Sequence, residues 1–350
     1  MISLARMPRG IVSIGVVALL ISIVSSAHAV TIDWVTVGDP GNAADDTGYG
    51  AVADAFQIGK YEVTIQQYTD FLNAVAASDP YSLYNTNMTN DLNSAGISRA
   101  GSSGSYTYSV IGPSGATPVG ASSPGNRPVN YVTWFNAARF ANWMQNGQGN
   151  GSTETGAYTL VGSQTSGVAP ARNTGALFYI PTENQWYKAA YYKGGSANAG
   201  YWDYATQSNT APGNTIGSGT NQANYRLVVS GFDVYSVTQS SSYSPSQNYL
   251  TDVGAFSSSE SAYETFDQSG NVWEWNDLTG ATGLSRGLRG GYWFDDALGV
   301  SSSNRYDSNP SDAYYGFRLA APVPEPSTYC MALAGLACGG YSMFRRRKRA

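Results

Sequence analysis

The chain is 350 residues long, has a formal net charge of −5, and is only 12% charged, about half the usual share. Its one histidine, His28, and its two cysteines, Cys330 and Cys338, all lie near the ends. The long stretch between them therefore excludes thiolate nucleophiles, imidazole bases, Cys/His zinc sites and His-ligated iron.

The modest net charge conceals an acidic body. Without Arg6, Arg9 and the cations of the tail, residues 30–323 hold 12 Lys and Arg against 23 Asp and Glu, a charge of −11. Nucleic acid and anionic membrane are poor partners for such a surface. With 40 Gly and 26 Tyr, the surface relies on Ser, Asn, Thr and Tyr for solvation, which suits work outside the cell among polysaccharides. Disulfides cannot staple the body. A core must hold it, and its length is ample for one large domain or two small ones, with no internal repeat.

Residues 1–29 have the three-part form of a secretory signal peptide. Arg6 and Arg9 precede the apolar run Ile11 to Val24, and Ala27 and Ala29 are the small residues before a cleavage point. Removal by signal peptidase after Ala29 is expected; the alternative, an uncleaved anchor, has an apolar run short for a bilayer.

Within the body, Thr64 and Gln67 form a capping box before a helix that puts Tyr68, Phe71, Leu72 and Val75 on one face. The low-complexity stretch from Ser94 to Asn126 alternates Ser and Tyr, the pattern of a surface strand or hairpin. A second helix starts at Thr133, buries Ala137, Phe140, Ala141 and Met144, and stops at Gly147. A third is capped by Thr182 and Gln185 and runs through Trp186, Ala189 and Ala190. Phe56–Tyr61, Tyr158–Val161 and Arg286–Arg289 read as short strands between long Gly/Asn/Ser loops. Few helices and many loops predict an α+β fold whose loops carry any function.

Residues 322–350 contain Val323-Pro-Glu-Pro-Ser327, an apolar stretch from Thr328 to Phe344, and the cluster Arg345-Arg-Arg-Lys-Arg349. The apolar stretch is near the lower limit for a membrane helix, and the basic cluster would be held cytoplasmic. Order, spacing and position resemble the PEP-CTERM sorting signal of Gram-negative bacteria. The resemblance implies transient anchoring in the inner membrane, cutting by an exosortase, and delivery to the cell surface or extracellular matrix. An ordinary tail anchor is the alternative.

Six segments occur in an order that resembles the sulfatase-modifying-factor, or formylglycine-generating-enzyme, family. They are Phe56-Gln-Ile-Gly-Lys-Tyr-Glu-Val-Thr64, Arg127-Pro-Val-Asn-Tyr-Val-Thr-Trp134, Ile180-Pro-Thr-Glu-Asn-Gln-Trp186, Gly270-Asn-Val-Trp-Glu-Trp275, Arg289-Gly-Gly291 and Gly316-Phe-Arg318. The resemblance covers residues 30–321 as one domain and implies an irregular, C-type-lectin-like fold with short antiparallel strands. In catalytic members a cysteine lies four positions after the Gly-Gly pair and another five later, and together they bind copper and oxidise a substrate cysteine. Here those positions are Asp295 and Val300, and Tyr292 replaces the serine that follows Gly-Gly. A carboxylate and a valine cannot form the soft two-thiolate site that Cu(I) favours. No copper and no formylglycine generation are expected.

The resemblance also implies calcium in the loop Asp267–Glu274, through the side chains of Asp267 and Glu274 and the carbonyls of Gly270 and Val272. These are hard oxygen donors suited to Ca²⁺. The alternative is a loop held by hydrogen bonds, with Trp273 and Trp275 as core aromatics. A second family calcium site would begin at Asn224 and the Tyr225 carbonyl, with Ser246 and Asn248 aligning poorly for the rest. Asp295-Asp296 and Asp45-Asp46 are candidate acid/base pairs, although adjacent loop carboxylates usually diverge into water. Arg289, Arg305 and Arg318 resemble framework arginines that bind loop carbonyls and carboxylates. Trp293 could stack on a sugar or belong to the core. The expected function is a non-catalytic binding or structural module of the envelope or matrix, with envelope proteins or extracellular polysaccharide as partners. The rivals are an enzyme of altered chemistry and a calcium-dependent, lectin-like carbohydrate binder.

Overall fold

The computed structural model describes residues 29–115, 122–162 and 164–324. The leader and nearly all of the sorting tail, including His28, Cys330 and Cys338, lie outside the described residues.

Both ends of the body meet in one antiparallel sheet. Strand β2 (Phe56–Gly59) is its centre, flanked by β1 (Trp34–Val37) and by β10 (Ala320–Pro322), with Ile58 opposite Val35 on one side and Ala320 on the other. The other strands are short and local. A hairpin joins β3 (Ile97–Ala100) to β4 (Thr107–Val110), and another joins β5 (Arg226–Val229) to β6 (Phe232–Tyr235). A second three-stranded sheet orders β7 (Glu274–Asn276), β8 (Arg286–Arg289) and β9 (Tyr306–Ser308), leaving β9 at an edge.

The helices begin where the side chains can satisfy the free N–H groups. Helix α1 (Ile65–Val75) has a reciprocal cap: Gln67 N donates to Thr64 Oγ1 at 3.2 Å and Thr64 N to Gln67 Oε1 at 2.8 Å. A four-residue helix, α2 (Asn87–Asn90), was not expected. Helix α3 (Trp134–Gln145) starts at Thr133, whose hydroxyl accepts from Asn136 N at 3.0 Å, and ends before Gly147 at φ 84°. Helix α4 (Glu183–Tyr191) repeats the reciprocal cap with Thr182 and Gln185.

The core gathers α1, α3 and the last segment of the body. Phe140 of α3 lies 5.3 Å from Phe71 of α1 and 5.4 Å from Phe317, ring centre to ring centre. All three are fully buried, so truncating Phe140 to Ala is expected to cost about 3–5 kcal/mol. Helix α3 is buried on nearly every face, and even Arg139 is enclosed, paired to Glu154 at 2.8 Å.

The strand expected at Tyr158–Val161 does not form. Tyr158 makes only an isolated bridge to Arg172, because the Asn142 side chain takes its backbone: Tyr158 N donates to Asn142 Oδ1 at 2.7 Å, and Asn142 Nδ2 donates to Tyr158 O at 3.1 Å. The hairpin expected between Ser94 and Asn126 is β3–β4, and the strand expected at Arg286–Arg289 is β8.

Candidate functional site

The loop from Asp267 to Glu274 is fixed by its backbone. Gly270 has φ 96° and lies so close to Asn224 that a Cβ would collide with the Asn224 carbonyl, which accepts from Asn271 N at 2.8 Å. Only glycine meets both demands at low cost. Asp267 also adopts a positive φ, 62°, and its Oδ2 accepts from Gly254 N at 2.6 Å. Val272 points into an apolar cluster with Tyr249, Leu250 and Trp293.

Glu274 ends the loop as the first residue of β7 and is fully buried. Its Oε1 accepts from Arg318 at 2.6 Å, and its Oε2 accepts from Arg318 Nε at 2.7 Å and from Trp186 Nε1 at 2.8 Å. Arg318 spends its remaining donors on the carbonyls of Gly59, Lys60 and Phe266. This is the framework role expected of the arginine. It also means that both oxygens of a candidate calcium ligand already face partners.

Two other carboxylates share this neighbourhood. Burial pushes Glu62 well above the usual carboxylate range, and the negative Asp267 adds to the shift against the pull of Arg318. Burial likewise raises Asp267 to about 6, eased by the Gly254 hydrogen bond and by Arg318. Glu62 Oε1 accepts from Asn271 Nδ2 at 3.3 Å, while its Oε2 is buried without a hydrogen-bond partner. Three carboxylates thus surround one guanidinium. Hard oxygens and surplus negative charge suit a divalent ion in donor type and sign. Even so, among the described residues no group of three or more His, Cys, Asp or Glu is arranged to hold a metal ion.

The second calcium candidate is built from neutral groups. Asn224 Nδ2 donates to Tyr249 O and to Asn271 Oδ1, both at 2.9 Å. The Tyr225 carbonyl accepts from Asn214 Nδ2 at 3.4 Å and Ser236 Oγ at 3.3 Å. Of the two weakly aligned companions, Asn248 is buried and bonds to Ala95 O and Leu250 N, and Ser246 lies at the surface.

Asp295 and Val300 face different surroundings. Val300 is fully buried among Tyr204, Ala223 and Tyr225. Asp295 lines a pocket of about 320 Å³ with Trp273, Leu288, Tyr306, Asp307 and Tyr315. Burial raises its carboxyl to about 6, and Asp296 adds to the rise, while hydrogen bonds from Tyr292 N and Trp273 oppose it. Asp295 and Asp296 each cap a turn rather than each other: Asp295 Oδ2 accepts from Tyr292 N, and Asp296 Oδ1 from Leu298 N and Gly299 N, all at 3.0 Å. Asp45 similarly accepts from the Tyr187 hydroxyl and from Asp46 N.

Arg289 and Arg305 converge on Glu183, both at 2.9 Å through Nε, and Arg289 also donates to Ser302 O at 2.7 Å. Trp293 is buried and stacks on Tyr249 at 4.4 Å, and Trp275 is buried with its Nε1 on Val132 O. Trp273 alone of these tryptophans borders open space.

A family profile, the sulfatase-modifying factor enzyme 1-like domain, matches residues 39–323. The chain belongs to the sulfatase-modifying factor family. The PEP-CTERM protein-sorting motif matches residues 322–348, which marks this family member as exported and surface-sorted and implies processing by an exosortase. No curated protein matches the chain. Among solved structures, CarF is 20% identical, covering 84% of this chain and 99% of its own, with a TM-score of 0.47. The Treponema denticola variable protein 1 is 19% identical, covering 85% and 97%, with a TM-score of 0.48. PvdO from Pseudomonas aeruginosa is 17% identical, covering 83% and 92%, with a TM-score of 0.39.

Proposed function

We propose that this member of the family is a non-catalytic binding module of the envelope or extracellular matrix, with the pocket beside Trp273 as its ligand site. The observation that carries this reading is the pair Asp295 and Val300. The former borders the pocket as a carboxylate and the latter sits in an apolar cluster, so no soft metal site can assemble between them. The chain purified from its native host should therefore neither bind Cu(I) tightly nor convert a sulfatase-type Cys peptide to formylglycine. Stoichiometric copper together with turnover would overturn the reading.

Calcium belongs to the same proposal as a structural ion. Asp267 and Glu274 with the carbonyls of Gly270 and Val272 are the candidate ligands, and the surplus of negative charge around Arg318 supports them. Asn224 and Tyr225 are the weaker candidate, since only neutral donors and acceptors surround them. Because Glu274 is fully buried, an ion there would brace the loop from inside rather than bridge to a ligand. Release of the body at the cell surface of a Gram-negative bacterium, after anchoring by the tail in the inner membrane, completes the reading. One observation favours a second reading, an enzyme of altered chemistry: Asp295, raised to about 6, lies in an open pocket where it could trade a proton near neutrality.

A further inference from the structure

A larger cleft, of about 570 Å³, opens beside the Asp295 pocket. Both volumes fall within the roughly 300–1,000 Å³ typical of small-molecule sites. Tyr81, Tyr84, Tyr106 and Tyr131 line the cleft together with Arg99 and Asp79. The Arg99 guanidinium packs over two of these rings, 4.7 Å from Tyr84 and 4.3 Å from Tyr106, and pairs with Asp79 at 3.4 Å.

The two openings share one wall. Tyr306, Asp307, Ser308 and Tyr315 border the smaller, and Ser311 and Ala313, from the same short segment, border the larger. Tyr314 stands at the junction, 63% exposed, with its ring 6.0 Å from Tyr131 of the cleft and 6.2 Å from Tyr315 of the pocket. Tyr306 is 58% exposed and meets Trp273 edge-on at 5.2 Å. Aromatic rings therefore line both openings, Trp273, Tyr306 and Tyr315 in the smaller and Tyr131, Tyr84 and Tyr106 in the larger, with Tyr314 touching a ring of each.

Two of the three carboxylates that line the openings are ion-paired, and the third, Asp295, accepts from Tyr292 N. Arg99 is paired with Asp79, and Asp307 with Arg305 at 2.5 Å. Apart from Asp295, the rest of the lining is hydroxyl, amide and aromatic surface, including Ser82, Asn85 and Thr86. Such groups give and accept hydrogen bonds without demanding a charged partner, and tyrosine and tryptophan offer apolar faces with polar edges. We infer that the pocket and the cleft are two ends of one extended site for a linear, neutral, hydroxyl-rich polysaccharide, with Tyr314 bridging them. The inference rests on the binding-module reading and names the ligand class for it. A polyanion would find, among the described residues that line the two openings, no cation but Arg99, which is already paired with Asp79, and a peptide would find few apolar side-chain pockets.

The test uses the full chain in detergent and neutral glucan and mannan oligosaccharides of two to eight units, with alginate oligosaccharides and unstructured peptides as contrasts. Calorimetry should give an affinity that rises about ten-fold or more as the oligosaccharide grows long enough to occupy both openings. Tyr314→Ala, at an exposed position, should keep the melting temperature and lose that length dependence, and Tyr306→Ala should weaken short and long ligands alike. Length-independent binding, an unaffected Tyr314→Ala variant, or binding only of alginate or peptide would overturn the inference. If no neutral oligosaccharide binds and none is turned over, the ligand class falls while the non-catalytic reading stands. Cleavage of a bound oligosaccharide would instead sink the non-catalytic reading and keep the ligand class.

Discussion

Arg318 presents one edge of its guanidinium, Nε and Nη2, to both oxygens of Glu274, at 2.7 and 2.6 Å, where neither side chain reaches solvent. Glu274→Gln keeps the shape but leaves the buried cation unpaired, so urea denaturation should show a loss of about 3–5 kcal/mol. The double change Glu274→Leu with Arg318→Met should cost less than Arg318→Met alone, because the single change strands Glu274 in addition to Glu62 and Asp267.

Calcium should raise the melting temperature, since a ligand that binds only the folded state stabilises it, by about 2.7 kcal/mol at a hundred-fold excess over Kd. Asp267→Asn is the informative variant, because Glu274 also serves Arg318. With Asp267 near 6, the calcium effect should be larger at pH 7.5 than at pH 5, where its carboxyl is mostly protonated. A melting curve indifferent to both calcium and chelator would leave the loop held by hydrogen bonds alone.

Asp295 links stability to pH in a defined direction. Its folded carboxyl is raised from 3.8 to about 6, so its favourable contribution is complete below the lower value and is lost as pH rises through the upper. Asp295→Asn should therefore be more stable than the parent at pH 7, by roughly 1–2 kcal/mol after solvent screening. The two should converge near pH 4 in chemical denaturation.

Gly270→Ala should be among the most damaging single-methyl additions in the chain. It places a side chain at φ 96° and against the Asn224 carbonyl at once, and strain with overpacking should cost about 3 kcal/mol. Thermal melts of this variant beside Gly147→Ala, which sits in open space at φ 84°, would separate the collision from the backbone strain.

The sorting tail makes a covalent prediction. Intact mass of protein from the surface of its native host should place the C-terminus near Pro324 to Ser327, with Cys330, Cys338 and the basic cluster gone. Full-length protein ending at Ala350 in that fraction would favour a plain membrane anchor.

What the sequence reveals of this fold is what local chemistry decides. The capping boxes of Thr64–Gln67 and Thr182–Gln185 involve neighbours three residues apart, and both form as read. The β5–β6 hairpin carries an equally local signal, Ser230-Gly231 between apolar runs. Tyr158–Val161 forms no strand because Asn142, sixteen residues before Tyr158, supplies the hydrogen bonds a strand partner would have made. The candidate site was legible only in part. Asp267 and Glu274 stand in a recognisable motif, whereas Glu62 enters through a contact with Asn271 across 209 residues. Its hint was a glutamate set among apolar residues at the entry to α1. The Tyr314 bridge had no such hint, since its meaning depends on which rings the folded chain places beside it.

The pairing of β10 with β2 sets the order in which the molecule can come into being. Ile58 finds its second strand partner only at Ala320, and the carbonyls of Gly59 and Lys60 wait for Arg318. A nascent chain that has delivered its first 300 residues still lacks the strand and the arginine that seal the core, so closure must follow synthesis of nearly the whole body. For a chain sent across a membrane, late closure of this kind is compatible with passage before the fold is complete. The sorting motif begins at Pro322, the last residue of β10. The final stitch of the fold and the handle for its release are thus adjacent, and a cut beyond Pro324 would free a body whose last strand is already in place.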